Sequence, residues 1–190
     1  MFNNYPGDSN SYKTADAITA VKAIIAAMRG NYNDALTLSE TLVQKYPLAT
    51  VEEYPLIFTD EVDTEVIFKL ERTRNDSYDG QGSVGSVAAG GWAGAIFCFS
   101  GPTADPYFEV GRALFNVLED GDIRKDVIVH PESVVDTDYA SKTAGEFKES
   151  DILYVGKHKG SEGQELMNDL KVIRVAEMYM IHAEAQAALG

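Results

Sequence analysis

The sequence is poor in basic residues, and this shortage limits what the protein can bind. Its 190 residues include 16 Lys and Arg against 30 Asp and Glu, which gives a formal net charge of -14 at pH 7. A polyanion such as DNA or RNA is repelled by this charge, and no run of Lys and Arg offsets it locally. The composition therefore argues against nucleic acid as a partner.

Cysteine and long apolar runs are also scarce. Cys98 is the only cysteine, so no disulfide can form within the chain. Its apolar neighbours raise the pKa of a thiol, which opposes reactivity. No segment approaches the roughly 20 apolar residues that a membrane helix needs. His130, His158 and His182 lie in no nucleophile or metal-ligand motif. We therefore expect no catalytic residue, no metal and no cofactor.

Apolar periodicity predicts a helical hairpin over residues 14–47. Thr14 or Asp16 can cap the first helix, over residues 14–29, and Gly30 can end it in a left-handed conformation. A second helix is predicted over residues 33–45. The linker of about three residues favours an antiparallel pair. The stripe that we expect to face the core of the first helix consists of Ala17, Ala20, Val21, Ile24, Ile25 and Met28.

The spacing within this hairpin is typical of a tetratricopeptide repeat. Gly30 permits the tight turn, Tyr32 covers the end of the hairpin, and Ala35 lets the two helices approach closely. Leu42 supplies the apolar position of the second helix, and Pro47 closes the unit. One such repeat is predicted here.

The remaining chain is less regular until its last helix. β-branched and aromatic residues predict a strand over residues 64–70, and residues 71–168 read as a loop-rich region containing one helix at 107–118. A long helix is predicted over residues 169–189, as half of a further repeat. Its apolar face requires cover, so either the chain is a fragment or this helix packs across the hairpin. That face comprises Val172, Ile173, Val175, Ala176, Tyr179, Met180, Ala183, Ala187 and Leu189.

A glycine-rich loop over residues 75–94 holds the only tryptophan, Trp92. Its glycines match no phosphate-binding loop that is followed by a helix. A sugar presents an apolar C–H face and a ring of hydroxyls, so a glycan site combines an exposed aromatic with planar polar groups. We predict such a site from Trp92, Tyr78, Asn75, Asp76, Asp79 and Gln81. Burial of Trp92 in the core is an equally open alternative.

Three charged residues share the last predicted helix. Glu177 lies three residues after Arg174, and Glu184 lies two turns further along the same face. They could form a carboxylate pair for acid–base chemistry or an ion network that fixes the helix against its neighbour. A catalytic pair needs a cleft, and none is visible in the sequence. The network is the reading that we favour, together with a structural role for His182.

Four segments resemble those of SusD/RagB-like proteins, and they occur in that family's order. The helix Val172-Ile173-Arg174-Val175-Ala176-Glu177-Met178-Tyr179-Met180-Ile181-His182-Ala183-Glu184-Ala185 is similar to the family's "R-x-A-E-x-Y-L-I-x-A-E-A" helix. The hairpin of residues 15–47, the strand around Glu65-Val66-Ile67-Phe68 and the segment Gly121-Asp122-Ile123-Arg124 also resemble family features. Together these segments cover about half of the chain.

This resemblance implies a mainly α fold, with tetratricopeptide-like hairpins, a long irregular loop region and a few short strands. It also implies a single domain over residues 1–190, which we expect to be truncated. SusD-like proteins of Bacteroidetes are outer-membrane, cell-surface lipoproteins that capture oligosaccharides for a TonB-dependent transporter. They are not enzymes. The lipobox cysteine of that family is not found among these residues, so we expect the lipid anchor to lie outside this sequence. An alternative is a helical-repeat module that binds a peptide or a partner protein.

Overall fold

The computed structural model describes residues 14–71, 108–142, 150–158, 160–161, 164–165 and 167–190. The chain divides into two compact units. The first unit comprises Met1–Glu53, Val62–Glu71 and Asp169–Gly190, and the second comprises Tyr54–Glu61 and Arg72–Asn168. Each unit is therefore assembled from segments that are distant in the sequence.

Helices α1 (Ala15–Met28) and α2 (Tyr32–Val43) form the predicted antiparallel pair. The Thr14 hydroxyl accepts a hydrogen bond from the amide of Ala17 at 3.1 Å and so caps α1. Gly30 follows with φ +71, which allows the chain to reverse without a Cβ clash. Tyr46, just after α2, donates a 2.7 Å hydrogen bond to Asp16 in the first turn of α1. Assignment of this pair as a tetratricopeptide repeat stays a prediction.

The buried face of α1 matches the expected stripe only in part. Ala17 and Ala20 are buried and Ile24 is half-buried against the core, as the periodicity predicted. The buried residues of α1 are all alanines, namely Ala17, Ala20, Ala23 and Ala26. Val21 and Ile25 are 44% and 43% exposed, and Met28 is 84% exposed. Small residues face the neighbouring helices because they let two backbones approach closely, whereas periodicity alone favoured the larger side chains.

Residues 169–174 are not helical, so the long helix predicted from residue 169 is wrong at its beginning. Strand β4 (Leu170–Arg174) pairs antiparallel with strand β1 (Val66–Leu70), and Val66 lies opposite Arg174. The strand runs directly into helix α6 (Val175–Leu189). The β-branched residues Val172 and Ile173 favour an extended conformation. Ile173 pairs with Phe68 of β1, and Val172 lies at a register shift in the ladder. Strand β1 confirms most of the strand predicted over residues 64–70.

Helix α6 packs against both α1 and α2, which is the second of the two alternatives drawn from its apolar face. Its buried residues are Val175, Met178, Ile181 and Ala185, whereas Met180 is 72% exposed. The face of α6 that is buried therefore differs from the apolar face that the sequence predicted to be buried. With Leu42 of α2 and Ile67 of β1, these side chains form the core of the first unit.

The second unit contains short elements. Among its described residues the helices are α3 (Tyr54–Ile57), α4 (Arg112–Val117) and α5 (Ile123–Ile128), with a 3-10 turn at Tyr139–Ser141. Strands β2 (Gly160–Ser161) and β3 (Gln164–Glu165) pair antiparallel. The helix predicted over residues 107–118 was too long, because Glu109 forms an antiparallel bridge with Tyr154 and the helix begins only at Arg112.

Candidate functional site

The residues predicted to bind glycan lie outside the part of the chain that the structure describes. They are Trp92, Tyr78, Asn75, Asp76, Asp79 and Gln81, and their roles stay predictions. The structure describes the residues on either side of their segment. Strand β1 precedes it, and Phe108, with 50% of its surface exposed, follows it.

A polar cluster organised by Arg112 joins three segments of the second unit. Arg112 Nη1 donates to Asp151 Oδ1 at 2.6 Å, and the amide of Asp136 donates to the same oxygen at 2.9 Å. The guanidinium also lies 4.7 Å from the centroid of the Tyr139 ring. Three chain segments thus meet at one buried carboxylate. No local pattern in the sequence indicates this cluster, because Asp136 and Arg112 lie 15 and 39 residues from Asp151.

Asp136 extends the cluster and remains ionised throughout the physiological range. Lys142 and the Ser150 hydroxyl both donate to its Oδ2, the latter at 2.6 Å. These hydrogen bonds, that of Lys142 above all, lower the pKa of Asp136 to about 2 although the side chain is buried. The amide of Asp138 donates to its other oxygen at 2.8 Å. A carboxylate held by this many donors orders a loop and is a poor acid–base catalyst at neutral pH.

A small cleft of about 130 Å³ lies beside α3 and α5 in the second unit. Phe58 is one of the residues that line the cleft, but it is only 4% exposed, and Lys157 Nζ lies 4.7 Å from the centroid of its ring. His158 packs edge-on against the same ring at 6.2 Å between centroids. Burial lowers the pKa of His158 to about 4, so its imidazole is neutral at pH 7. Because the ring of Phe58 is enclosed, the cleft offers no aromatic plane to a sugar.

In the first unit, Arg174 has a different partner from the one expected. Its Nη1 donates to Glu65 Oε2 at 3.1 Å, whereas Glu177 and Glu184 are exposed on α6. Glu65 Oε1 also accepts from the amide of Ala49 at 3.0 Å, and the Glu65 carbonyl accepts from the amide of Val175 at 2.7 Å. The pair joins the Glu65-Val66-Ile67-Phe68 strand to the helix that follows Arg174. The predicted pairing of Arg174 with Glu177 is therefore wrong, because the partner of Arg174 is Glu65.

One lysine and two carboxylates form a second charged cluster beside the β1–β4 ladder. Lys69 is 6% exposed, and its ammonium lies 2.9 Å from Asp63 Oδ2 and 3.0 Å from Asp169 Oδ2. Burial alone would lower the pKa of Lys69, but the hydrogen bonds and charges of the two carboxylates outweigh it and raise that pKa. These ion pairs link Lys69 of β1 to Asp63, which precedes that strand, and to Asp169, which precedes β4.

The described residues supply no cluster of three or more His, Cys, Asp or Glu that could hold a metal ion. His182 Nδ1 lies 3.5 Å from the hydroxyl of Ser39, which donates to the carbonyl of Ala35 at 2.7 Å. Ser39 is completely buried, so a substrate cannot reach it. Within the same ranges, none of the helices has the length and apolarity needed to span a bilayer.

The three-helix core and the β1–β4 ladder of the first unit, together with the short elements described in the second unit, match a SusD-like fold. Two solved structures from Bacteroides share it. A SusD superfamily protein from Bacteroides thetaiotaomicron VPI-5482 matches with a TM-score of 0.70 and 22% identity over 96% of this chain. A SusD-like carbohydrate binding protein from Bacteroides vulgatus ATCC 8482 matches with a TM-score of 0.66 and 22% identity over 98% of this chain.

These likenesses confirm the sequence resemblance at the level of the fold. The chain spans 39% of the length of the first of these proteins and 36% of the second. No family model and no curated protein matches the sequence.

Proposed function

We propose that this protein binds an oligosaccharide at the surface of the outer membrane and delivers it to a TonB-dependent transporter. The observation that carries the proposal is the SusD-like fold, which the chain shares over 98% of its length with a SusD-like carbohydrate binding protein. Fold alone does not fix function, so the proposal also relies on the chemistry of the chain.

Two features of the chain support binding without catalysis. The segment predicted to contact glycan combines Trp92 and Tyr78 with the amide and carboxylate groups of Asn75, Asp79 and Gln81. Among the described residues, the buried carboxylates are engaged in ion pairs or backbone hydrogen bonds. A glycosidase needs two carboxyl groups facing each other across the sugar, one of them able to donate a proton. We therefore propose a binding protein that does no chemistry on its ligand.

The test is a screen of soluble polysaccharides by affinity electrophoresis with the wild-type protein, Trp92→Ala and Trp92→Phe. We expect retardation by at least one glycan, weakened about tenfold or more by Trp92→Ala, since an aromatic anchor contributes about 2 kcal/mol or more and about 1.4 kcal/mol corresponds to a factor of ten. Trp92→Phe keeps an aromatic face and should retain most of the affinity. No new reducing ends should appear during incubation. Glycan hydrolysis that depends on a single carboxylate would contradict the proposal.

A further inference from the structure

The outward face of α1 carries a continuous row of large apolar side chains. Ile18, Val21, Ile25 and Met28 are 48%, 44%, 43% and 84% exposed. Their spacing of three, four and three residues places them in one line along the helix. At 1.5 Å per residue the line is about 15 Å long. Single exposed apolar residues are ordinary, but an aligned row of four marks an interaction surface.

A groove of about 260 Å³ lies beside the first half of this row. It is lined by Ala17, Ile18, Val21 and Lys22 of α1 and by Phe68 and Ile173 of the two paired strands. Pockets that enclose small ligands have volumes of about 300–1,000 Å³, so this groove is better suited to one or two side chains. A small molecule in the groove would also leave Ile25 and Met28 uncovered. An elongated partner fits the whole surface.

Within α1 the row repeats the a and d positions of a coiled-coil seam twice. Ile18 and Ile25 occupy a positions, and Val21 and Met28 occupy d positions. The exposed Lys22 falls at e, and the exposed Arg29, which caps the C-terminal end of α1, falls at the next e position. One edge of the apolar row is therefore basic along its length. In such seams the residues at e and g form ion pairs with the facing helix, which selects the partner.

A second copy of the chain does not supply the matching charge. In an antiparallel pair of α1 helices the Lys22–Arg29 edge meets itself, and like charges repel. In a parallel pair it meets the g edge, where Ala17 is 6% exposed and Ile24 is half-buried against its own core. Neither arrangement provides a carboxylate.

We propose that this face of α1 docks an amphipathic helix of a partner protein, with acidic residues along the edge that meets Lys22 and Arg29. The apolar rows of the two helices interdigitate, and one or two side chains of the partner fill the groove beside Phe68. This interaction is separate from glycan capture, and its failure leaves the proposed function untouched.

The experiment uses two fluorescein-labelled, stapled helical peptides of three heptads with Leu at every a and d position. One carries Glu at e and g, and the other carries Lys at the same positions. Binding to the full 190-residue protein is measured by fluorescence anisotropy at about 0.15 M salt, where charges separated by more than about 8 Å are screened. The net charge of -14 would favour the Lys peptide, so a preference for the Glu peptide indicates a local interaction with Lys22 and Arg29.

We expect the Glu peptide to bind at least about fivefold more tightly, because two ion pairs contribute roughly 0.5 kcal/mol each. The double variant Lys22→Glu/Arg29→Glu should reverse this preference. Val21→Ser/Ile25→Ser should weaken binding at least about tenfold, whereas Met180→Ser, an exposed apolar residue of α6, should leave it unchanged. Circular dichroism verifies that each variant is folded.

Three results would overturn the proposal. The first is equal or tighter binding of the Lys peptide. The second is a preference for the Glu peptide that the variant Lys22→Glu/Arg29→Glu leaves in place. The third is a concentration-dependent dimer in sedimentation velocity that Val21→Ser/Ile25→Ser abolishes, which would make a second copy the occupant.

Discussion

Removal of the Glu65 carboxylate should destabilise the first unit more than any change at an exposed charge. Glu65 is 4% exposed and binds two donors, the amide of Ala49 at 3.0 Å and the guanidinium of Arg174 at 3.1 Å. Glu65→Ala leaves both donors without this acceptor. A lost buried hydrogen bond to a charged group costs about 1.5–3 kcal/mol, and water relieves part of this cost at Arg174, whose side chain is 24% exposed. We expect a loss of about 3 kcal/mol.

Two further variants separate charge from shape. Glu65→Gln keeps one oxygen acceptor and the side-chain volume, so we expect a loss of about 1 kcal/mol. Glu177→Gln tests the pair that the sequence suggested, and because Glu177 is exposed its effect should stay within about 0.5 kcal/mol. The assay is urea denaturation followed by circular dichroism at 222 nm, since α1, α2 and α6 are the longest helices described.

A double-mutant cycle identifies the partner of Arg174 directly. Combined with Arg174→Met, the Glu65→Gln change should give a coupling energy of about 1 kcal/mol, and the Glu177→Gln change should give a value near zero. The reasoning is refuted if Arg174 couples to Glu177 and not to Glu65, or if Glu65→Ala leaves the urea midpoint unchanged.

Two other predictions concern packing and pH. Met178→Ala should lower the free energy of unfolding by about 2–5 kcal/mol in urea denaturation, because Met178 is completely buried. Met180→Ala should lower it by less than about 0.5 kcal/mol, because Met180 is 72% exposed. Equal effects would contradict the burial of the Met178 face of α6. The pKa of His158 is about 4 when folded and about 6.5 when unfolded, so the unfolded chain takes up the proton first as pH falls. Stability should therefore drop by roughly 2–3 kcal/mol between pH 7 and 4.5, and His158→Gln should flatten that drop; an unchanged profile in this variant would exclude His158 as its source.

Local signals in the sequence were sufficient for the hairpin. Thr14 caps α1, Gly30 adopts a positive φ, and both act through neighbours within a few residues. The buried face of α1 was not predictable in this way. Which side of a helix is buried depends on what packs against it, and here the close approach of neighbouring helices selected alanines over Val21 and Ile25.

The remaining differences arise from contacts between residues far apart in the sequence. Leu170–Arg174 became a strand because β1, about a hundred residues earlier, offers it a hydrogen-bonding partner. Arg174 pairs with Glu65 across the same ladder, although Glu177 is three residues away. The residues predicted to bind glycan were inferred from their side-chain chemistry, and their role stays a prediction that the Trp92 variants test.

The emission of Trp92 tests the central claim most directly, because it is the only tryptophan in the chain. Saturation with a glycan identified in the electrophoretic screen should shift the emission maximum to shorter wavelength and protect the indole from iodide quenching, with a midpoint that equals the calorimetric Kd. Binding detected by calorimetry with no change in this emission would contradict stacking of the sugar on Trp92.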